Sequence, residues 1–380
     1  MNIAVDVREW LPGSHTGIGR FLVEFLAAAA GPGSPHRFLL LGDCRSENRL
    51  PDRAIPFDRI PGSSTLWWDQ VALPRRAARW PADLLYSPYI KTPLVSPIPT
   101  VCTVHDLIFL RCPPRPAQPH LVAKNLLFRL FCQFVFRRAD ALIADSRTTA
   151  RDISEVFTVD PARIHVVALA TSSLFHPMED PTSDLTVLAR HGLAPGYVLY
   201  VGGFAAHKNV HRLVESHAAL PKDVRANHPL ILVGRAMPSA LQTRLATVGS
   251  PTGSRWIGPI PDAELPALYR RAALLAFPSS YEGFGLPVLE AMACGTPVLC
   301  STAPALVELA EDAALHAPPE DTSAWRASLG KLLADDKVRA DLTVRGLARA
   351  STFTPSRMSQ GILRVFESAV ERGRRGRCKE

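Results

Sequence analysis

At 380 residues the chain is too long for one ordinary core and suits two domains of roughly 150 to 200 residues each. Its 47% apolar and 21% charged residues exclude a disordered or membrane-embedded chain, and no run reaches the ~18 apolar residues of a membrane span. The formal charge is +8, half of it in a tail where Arg372, Arg374, Arg375, Arg377 and Lys379 face only Glu380, and no aromatic residues interleave with these cations as nucleic-acid binding would want.

The start of the chain has no signal-peptide pattern, and its seven cysteines include no C-x-x-C pair, so a cytoplasmic protein without a disulfide framework or a zinc site is expected. Residues 3–7 read as a strand and 11–16 as a loop, after which Gly17, Ile18, Gly19 and Arg20 lead into an apolar helix over 21–30. Short aliphatic runs follow at 38–41, 84–86, 99–104, 141–144 and 164–167, with helical stretches at 120–138 and 147–156. This alternation predicts a parallel sheet with helices on both faces. Ser146 is placed to cap the second of those helices. The first carries Phe128, Leu130, Phe131, Phe134 and Phe136 among Lys124, Arg129, Arg137 and Arg138, and reads either as core or as a surface that docks on an anionic membrane. The basic tail likewise reads as a solvated end or as a lipid contact.

Three prolines loosen residues 176–195 into a linker with a short helix. The alternation then resumes: strand 197–201 ending in Gly202 and Gly203, helix 211–219, strand 229–233 ending at Gly234, helix 263–271, strand 274–277, helix 286–293 and strand 297–301. Residues 356–372 form an amphipathic closing helix. The organisation expected is α/β: a domain over 1–176, with the closing helix packing back near it, and a second over 177–355. Both are Rossmann-like doubly wound parallel sheets, facing a central cleft where ligands meet the carboxyl ends of the strands.

The chemistry concentrates in EGFGLPVLEAMACGTPVLCS, residues 282–301. Gly283 and Gly285 permit a tight turn after a strand, Pro287 suits an early helical position, and Gly295 ends the helix. The amides at that helix start make an anion site for which phosphate is the obvious occupant. Glu282 in the turn and Glu290 eight positions on can each accept two hydroxyl hydrogen bonds, as a vicinal diol requires. A glutamate pair alone is more often a solvated helix start, and here the flanking glycines and the strand-turn-helix setting favour a ligand.

This segment resembles the family 4 glycosyltransferases, retaining enzymes of the GT-B fold whose second lobe carries a glutamate, seven residues and a second glutamate. The resemblance implies transfer of a sugar from a nucleoside-diphosphate donor to a glycan or lipid-linked acceptor, with retention, no metal and no cofactor. It implies that Glu290 holds the ribose hydroxyls, Glu282 the donor sugar, and the amides around Gly283, Phe284, Gly285, Leu286 and Pro287 the diphosphate. The strand, glycine and Lys208-Asn209 pattern also resembles the family, with Lys208 stabilising the departing diphosphate. Many members carry an arginine where this chain has Gly203, and Arg212 or Arg235 is the expected replacement. Trp256 to Ile260 resembles the segment that offers backbone groups to the base, including Gly258 and Ile260. By similarity to the family's His-Asp pair, His105 would bond the donor sugar, with Asp106 holding the loop or the imidazole tautomer.

The turn at 17–20 lacks both G-x-G-x-x-G spacing and a P-loop lysine. It resembles bacterial mannosyltransferases of polysaccharide assembly, which implies Gly17 near the diphosphate, Arg20 near acceptor or phosphate, and GDP-mannose as first donor. Alternatives are a UDP- or dTDP-sugar donor, a GT-B epimerase or phosphorylase, and a catalytically silent nucleotide-sugar binder. No paired glycosidase-type carboxylates and no magnesium-holding cluster are evident.

Overall fold

The computed structural model describes residues 1–11, 16–31, 33–50, 55–62, 65–112, 119–177, 182–249 and 253–377. Gly13, Ser14 and His15 of the first loop, and Cys378, Lys379 and Glu380 of the tail, lie outside the described residues. The chain divides into two compact units, Met1–Ala170 with Thr354–Glu380, and Thr171–Phe353.

The first unit holds strands β1 (Asn2–Asp6), β2 (Arg37–Gly42), β3 (Phe57–Arg59), β4 (Leu84–Ser87), β5 (Thr100–Val104), β6 (Ala141–Ala144) and β7 (Ile164–Val166). They form one sheet in the order β3-β2-β1-β4-β5-β6-β7, with every neighbouring pair parallel. Strands buried on both faces read as continuous aliphatic runs, which is why Ile3, Ala4, Val5, Leu84, Leu85 and Tyr86 are all inaccessible to solvent. Helices α1 (Gly17–Ala29), α2 (Leu73–Arg79), α3 (Pro119–Arg138) and α4 (Arg147–Val156) belong to this unit. Ser146 caps α4 through its hydroxyl, which accepts from the Thr149 amide at 3.0 Å.

The closing helix, Pro355–Arg377, buries Ile362, Phe366 and Ala369 in the first unit. The Phe366 ring lies 6.0 Å from Phe25 of α1 and 4.9 Å from Tyr86 of β4. Helix α3 has one buried and one exposed apolar face. Cys132, Val135 and Phe136 pack in the core with Cys102, Val104 and Leu142, while Val122, Leu126, Leu130 and Phe134, four positions apart, make an exposed ridge.

The second unit holds β8 (Val198–Val201), β9 (Leu230–Val233), β10 (Arg255–Trp256), β11 (Leu274–Phe277), β12 (Val298–Ser301) and β13 (Leu315–Ala317), in the order β10-β9-β8-β11-β12-β13 and again all parallel. Its helices include α5 (Thr182–Arg190), α6 (Val210–Ala218), α7 (Leu265–Arg271) and α8 (Leu286–Ala293). The segment expected to be a loose linker is anchored through α5. Buried Asp184 takes Arg270 at 2.6 Å and Arg271 at 2.9 Å, both from α7. Burial works to raise the Asp184 pKa, and the two guanidiniums outweigh it, holding the carboxyl below its ordinary range. Its contribution to stability is therefore present above the ordinary aspartate pKa and is lost as pH falls through the depressed one. Asp184→Ala leaves two half-buried cations without their anion and is expected to cost about 3–5 kcal/mol in chemical denaturation. A loss under 1 kcal/mol would show the pair to be incidental.

Candidate active site

In both sheets the strand order reverses at one point, between β1 and β4 in the first and between β8 and β11 in the second. Loops leaving the carboxyl ends of those neighbouring strands diverge, and the crevice between them is where open α/β sheets take ligands. In the second unit the loop after β8 delivers Lys208 and the loop after β11 delivers Glu282. Lys208 Nζ donates to Glu282 Oε1 at 2.5 Å, with only 17% and 10% of the two side chains exposed.

The lysine is held from both sides. Residues 206–208 form one 3₁₀ turn, after which Asn209 adopts a left-handed conformation with φ 51°. Asn209 Nδ2 donates to the carbonyls of Pro278, at 3.3 Å, and Pro319, at 3.4 Å, while the Ser280 amide donates to the His207 carbonyl at 2.8 Å. Asn209 thus ties the lysine loop to the glutamate loop, a role that sequence reading did not assign.

Beyond Glu282 the chain reaches Gly285 at φ 113°, where a Cβ would stand 2.5 Å from Leu306 Cδ2, and α8 begins at Leu286. Among the described residues the amides of Phe284, Gly285 and Leu286 donate to no protein acceptor, and Pro287 has no N–H to offer. They form a short row of donors beside the Lys208–Glu282 pair. Gly283 lies buried in the same turn. Glu290, within α8, is also buried, and Tyr269 of α7 donates its hydroxyl to Oε2 at 2.8 Å.

The ends of β8, β9 and β10 are stitched into a shelf. The Gly202 amide donates to Val233 O and the Gly234 amide to Gly258 O, each at 3.0 Å, and Trp256 Nε1 donates to Gly234 O at 2.9 Å. Gly258 and Ile260 lie half-buried in the loop after β10, and Gly203 is exposed with open space where a Cβ would point. Arg212 does not take the place of the arginine missing at Gly203. It pairs with Glu320 at 2.6 Å and donates to the Glu320 carbonyl, because α6 directs it there. Arg235 is exposed just past β9. Among the described residues no three His, Cys, Asp or Glu side chains gather in a metal-binding group.

In the first unit, His105 follows β5 and has both ring nitrogens engaged. Nδ1 meets Asp145 Oδ2 at 2.7 Å, and Nε2 donates to the Pro88 carbonyl at 2.8 Å. A carbonyl only accepts, so the proton on Nε2 is fixed. Burial alone would lower the His105 pKa, but Asp145 overrides it and raises the value above the ordinary 6.5. The stability this pair contributes is complete below that ordinary value and fades as pH rises through the raised one. Asp106 serves the loop, accepting from the Ile108 amide at 2.9 Å, and Asp145 orients the imidazole. The only sequence sign of Asp145 was its place at the end of a short strand before the capping Ser146.

Gly17 is the exposed first residue of α1, and the Arg20 amide donates to Thr16 O at 3.0 Å. At the end of β1 a buried network also escaped sequence reading. Arg8 pairs with Asp6 at 3.1 Å and with Asp69, donates to the Tyr89 hydroxyl at 2.6 Å, and stacks 3.9 Å over Trp68. Burial pushes the Asp69 carboxyl up to about 6, with Arg8 working against it.

Residues 15–170 match Glycosyltransferase Family 4 and residues 190–348 match Glycosyl transferases group 1. The chain is 37% identical over 259 residues to the O-antigen chain mannosyltransferase B of Escherichia coli, covering 67% of this chain and 66% of that one. The chain spans 66% of the length of that relative and 34% of the serotype-specific mannosyltransferase WbdA of Escherichia coli. WaaG, a glycosyltransferase involved in lipopolysaccharide biosynthesis, shares the fold with a TM-score of 0.76 at 17% identity, over 95% of this chain and 99% of WaaG. Anabaena HepE, solved with UDP-glucose, does so at 0.76 and 20% identity, over 97% and 100%. With its paired parallel sheets of the GT-B fold and its glutamate-containing turn before α8, the chain belongs to the family 4 glycosyltransferases.

Proposed function

We propose that the chain is a retaining, metal-independent mannosyltransferase that moves mannose from GDP-mannose to a glycan or lipid-linked acceptor in polysaccharide assembly. The Lys208–Glu282 pair at the sheet's reversal point, beside the free amides that open α8, carries this reading. The similarity to an O-antigen chain mannosyltransferase supports the choice of sugar.

In this scheme the diphosphate lies on the amides of Phe284, Gly285 and Leu286 and draws the Lys208 ammonium to itself. Glu282 is thereby released to accept hydroxyls of the sugar, and Glu290 accepts those of the ribose. As the bond from C1 to the phosphate oxygen breaks, the acceptor oxygen bonds C1 on the same face. Its proton passes to the departing phosphate. Lys208 and the amides stabilise the charge that develops there.

Thermal denaturation with GDP-mannose, UDP-glucose, UDP-N-acetylglucosamine and dTDP-rhamnose tests the donor. The largest rise in Tm is expected with GDP-mannose, since a ligand at a hundred times its Kd adds about 2.7 kcal/mol. The HepE complex makes UDP-glucose the second candidate. No stabilisation by any of the four would remove the donor reading.

Gly203 offers a sharper test. Its side-chain position faces open space and its φ is outside the range that only glycine tolerates, so Gly203→Arg is expected to fold normally. Returning a guanidinium beside the diphosphate should tighten GDP binding by about tenfold in titration calorimetry. Weaker binding would place the diphosphate elsewhere.

The proposal includes contact of the first unit with an anionic membrane. Arg129, Arg137 and Arg138 are exposed beside the ridge on α3, and the helix contains no acidic residue. Arg163 and Arg372 extend the basic border, Arg163 donating to Arg137 O at 3.1 Å and Arg372 to Ala162 O at 3.0 Å. Self-pairing of two such helices would oppose cation to cation, whereas anionic headgroups satisfy both ridge and border. Vesicles containing phosphatidylglycerol should sediment the chain and leave the Leu126→Gln/Leu130→Gln/Phe134→Gln variant in solution. Equal sedimentation of both would remove this part of the reading.

A further inference from the structure

The edge of the first sheet carries a cavity that none of these roles uses. Its volume is about 400 Å³, and Asp58, Arg59, Trp67, Arg75, Arg76 and Arg79 are among its walls. Four guanidiniums therefore face one carboxylate, and that carboxylate is already taken, because Asp58 pairs with Arg76. Arg59 uses its Nε on the Ser46 carbonyl at 3.3 Å. Arg75 and Arg79 are exposed, four positions apart on α2, and make no ion pair among the described residues. Like charges at that spacing repel and weaken a helix, so the arrangement has a cost to the fold that an anion in the cavity would reverse.

The same helical run, residues 65–79, also gives the cavity an aromatic wall residue, Trp67. Gly62 has φ 137°, and a Cβ there would stand 2.8 Å from the Trp67 ring, so the indole lies directly on this backbone. Trp67 remains 46% exposed, leaving an indole surface at the cavity. An aromatic plate suits the C–H face of a pyranose, and guanidinium forks suit the oxygens of a phosphate. The volume stands at the small end of ligand pockets, which run from about 300 to 1,000 Å³, so a monosaccharide phosphate is a better match than a nucleotide sugar.

We propose that this cavity binds a phosphorylated hexose, with the phosphate on Arg75, Arg79 and Arg59 and the sugar ring against Trp67. The same chemistry is presented by a free sugar phosphate and by a sugar linked through phosphate to a lipid. The site belongs to the first unit alone, so it stands or falls separately from the donor site around Lys208.

Titration calorimetry on the full chain tests it with mannose 6-phosphate, mannose, inorganic phosphate and vesicles with or without a polyprenyl-phosphate mannose. Mannose 6-phosphate, or the vesicles that carry the lipid-linked sugar, should bind, and whichever binds identifies the source. Arg75→Gln/Arg79→Gln removes a repulsion and should keep its Tm while losing at least tenfold in affinity. Trp67→Ala should weaken the sugar phosphate without changing inorganic phosphate, and Lys208→Ala should leave both unchanged. Undiminished binding by the Arg75→Gln/Arg79→Gln variant would overturn the proposal. So would inorganic phosphate binding as tightly as the sugar phosphate, or no binding of either phosphorylated sugar.

Discussion

Glu282→Ala is expected to reduce sugar transfer by about 10³-fold or more, with kcat falling much further than KM changes. Two losses combine in that variant. The carboxylate that would grip the sugar hydroxyls is gone, and Lys208, whose side chain is 17% exposed, loses the anion that orients it before the donor arrives. Lys208→Ala should cost about 10²–10³-fold, the usual scale for one electrostatic contact to a developing charge. Because the two side chains touch, the double variant should be only slightly worse than Glu282→Ala. Glu282→Gln distinguishes charge from shape: it keeps a hydrogen-bonding oxygen and loses the ion pair, so intermediate activity is expected. Steady-state rates for the four proteins decide the matter, and additive losses would mean that the lysine and glutamate act at separate places.

Gly234→Ala is expected to destabilise the second unit by about 3 kcal/mol or more. The added Cβ would stand 2.0 Å from the Gly202 carbonyl oxygen, and Gly234 has φ 158°. Unlike the Leu306 methyl that faces Gly285, this oxygen belongs to backbone already fixed by the Gly202 amide bond to Val233. The strand ends would have to part, and the shelf from Gly202 to Gly258 would part with them. Urea unfolding measures the loss, and a change below 1 kcal/mol would show that the shelf yields easily. By contrast Gly203→Arg, one residue past Gly202, should be tolerated, since nothing lies within 4 Å of its Cβ position.

The buried strands were the most legible part of the fold because their aliphatic runs answer directly to burial on both faces. Strand 274–277 and helix 286–293 stand where their sequence boundaries put them. Strand β3 was not legible: Phe57–Arg59 is a three-residue edge strand, only partly buried, and its sequence has no run to read. The opening segment of the second unit looked loose because prolines and polar residues dominate it, but Asp184 fastens it through arginines some 86 and 87 positions away. Such long-range pairs leave no local pattern.

The site shows the same division. The glycine turn and the two glutamates were visible from spacing, and the position of Lys208 from its strand and glycines. Their partners were not. Asn209, Asp145 and Tyr269 act by joining segments far apart in the chain, and Arg212 was offered to the diphosphate from charge alone while its helix turns it to Glu320. The apolar content of α3 was legible, but only the burial of one face and exposure of the other separates its two stripes.

The most direct test of sugar transfer is release of GDP from GDP-mannose with a synthetic mannoside acceptor in the presence of EDTA, comparing the native chain with Glu282→Ala. The native chain should release GDP in step with a mannosylated product whose anomeric configuration matches the donor, and the variant should do neither. Equal turnover by the variant, or an inverted product, would contradict the account.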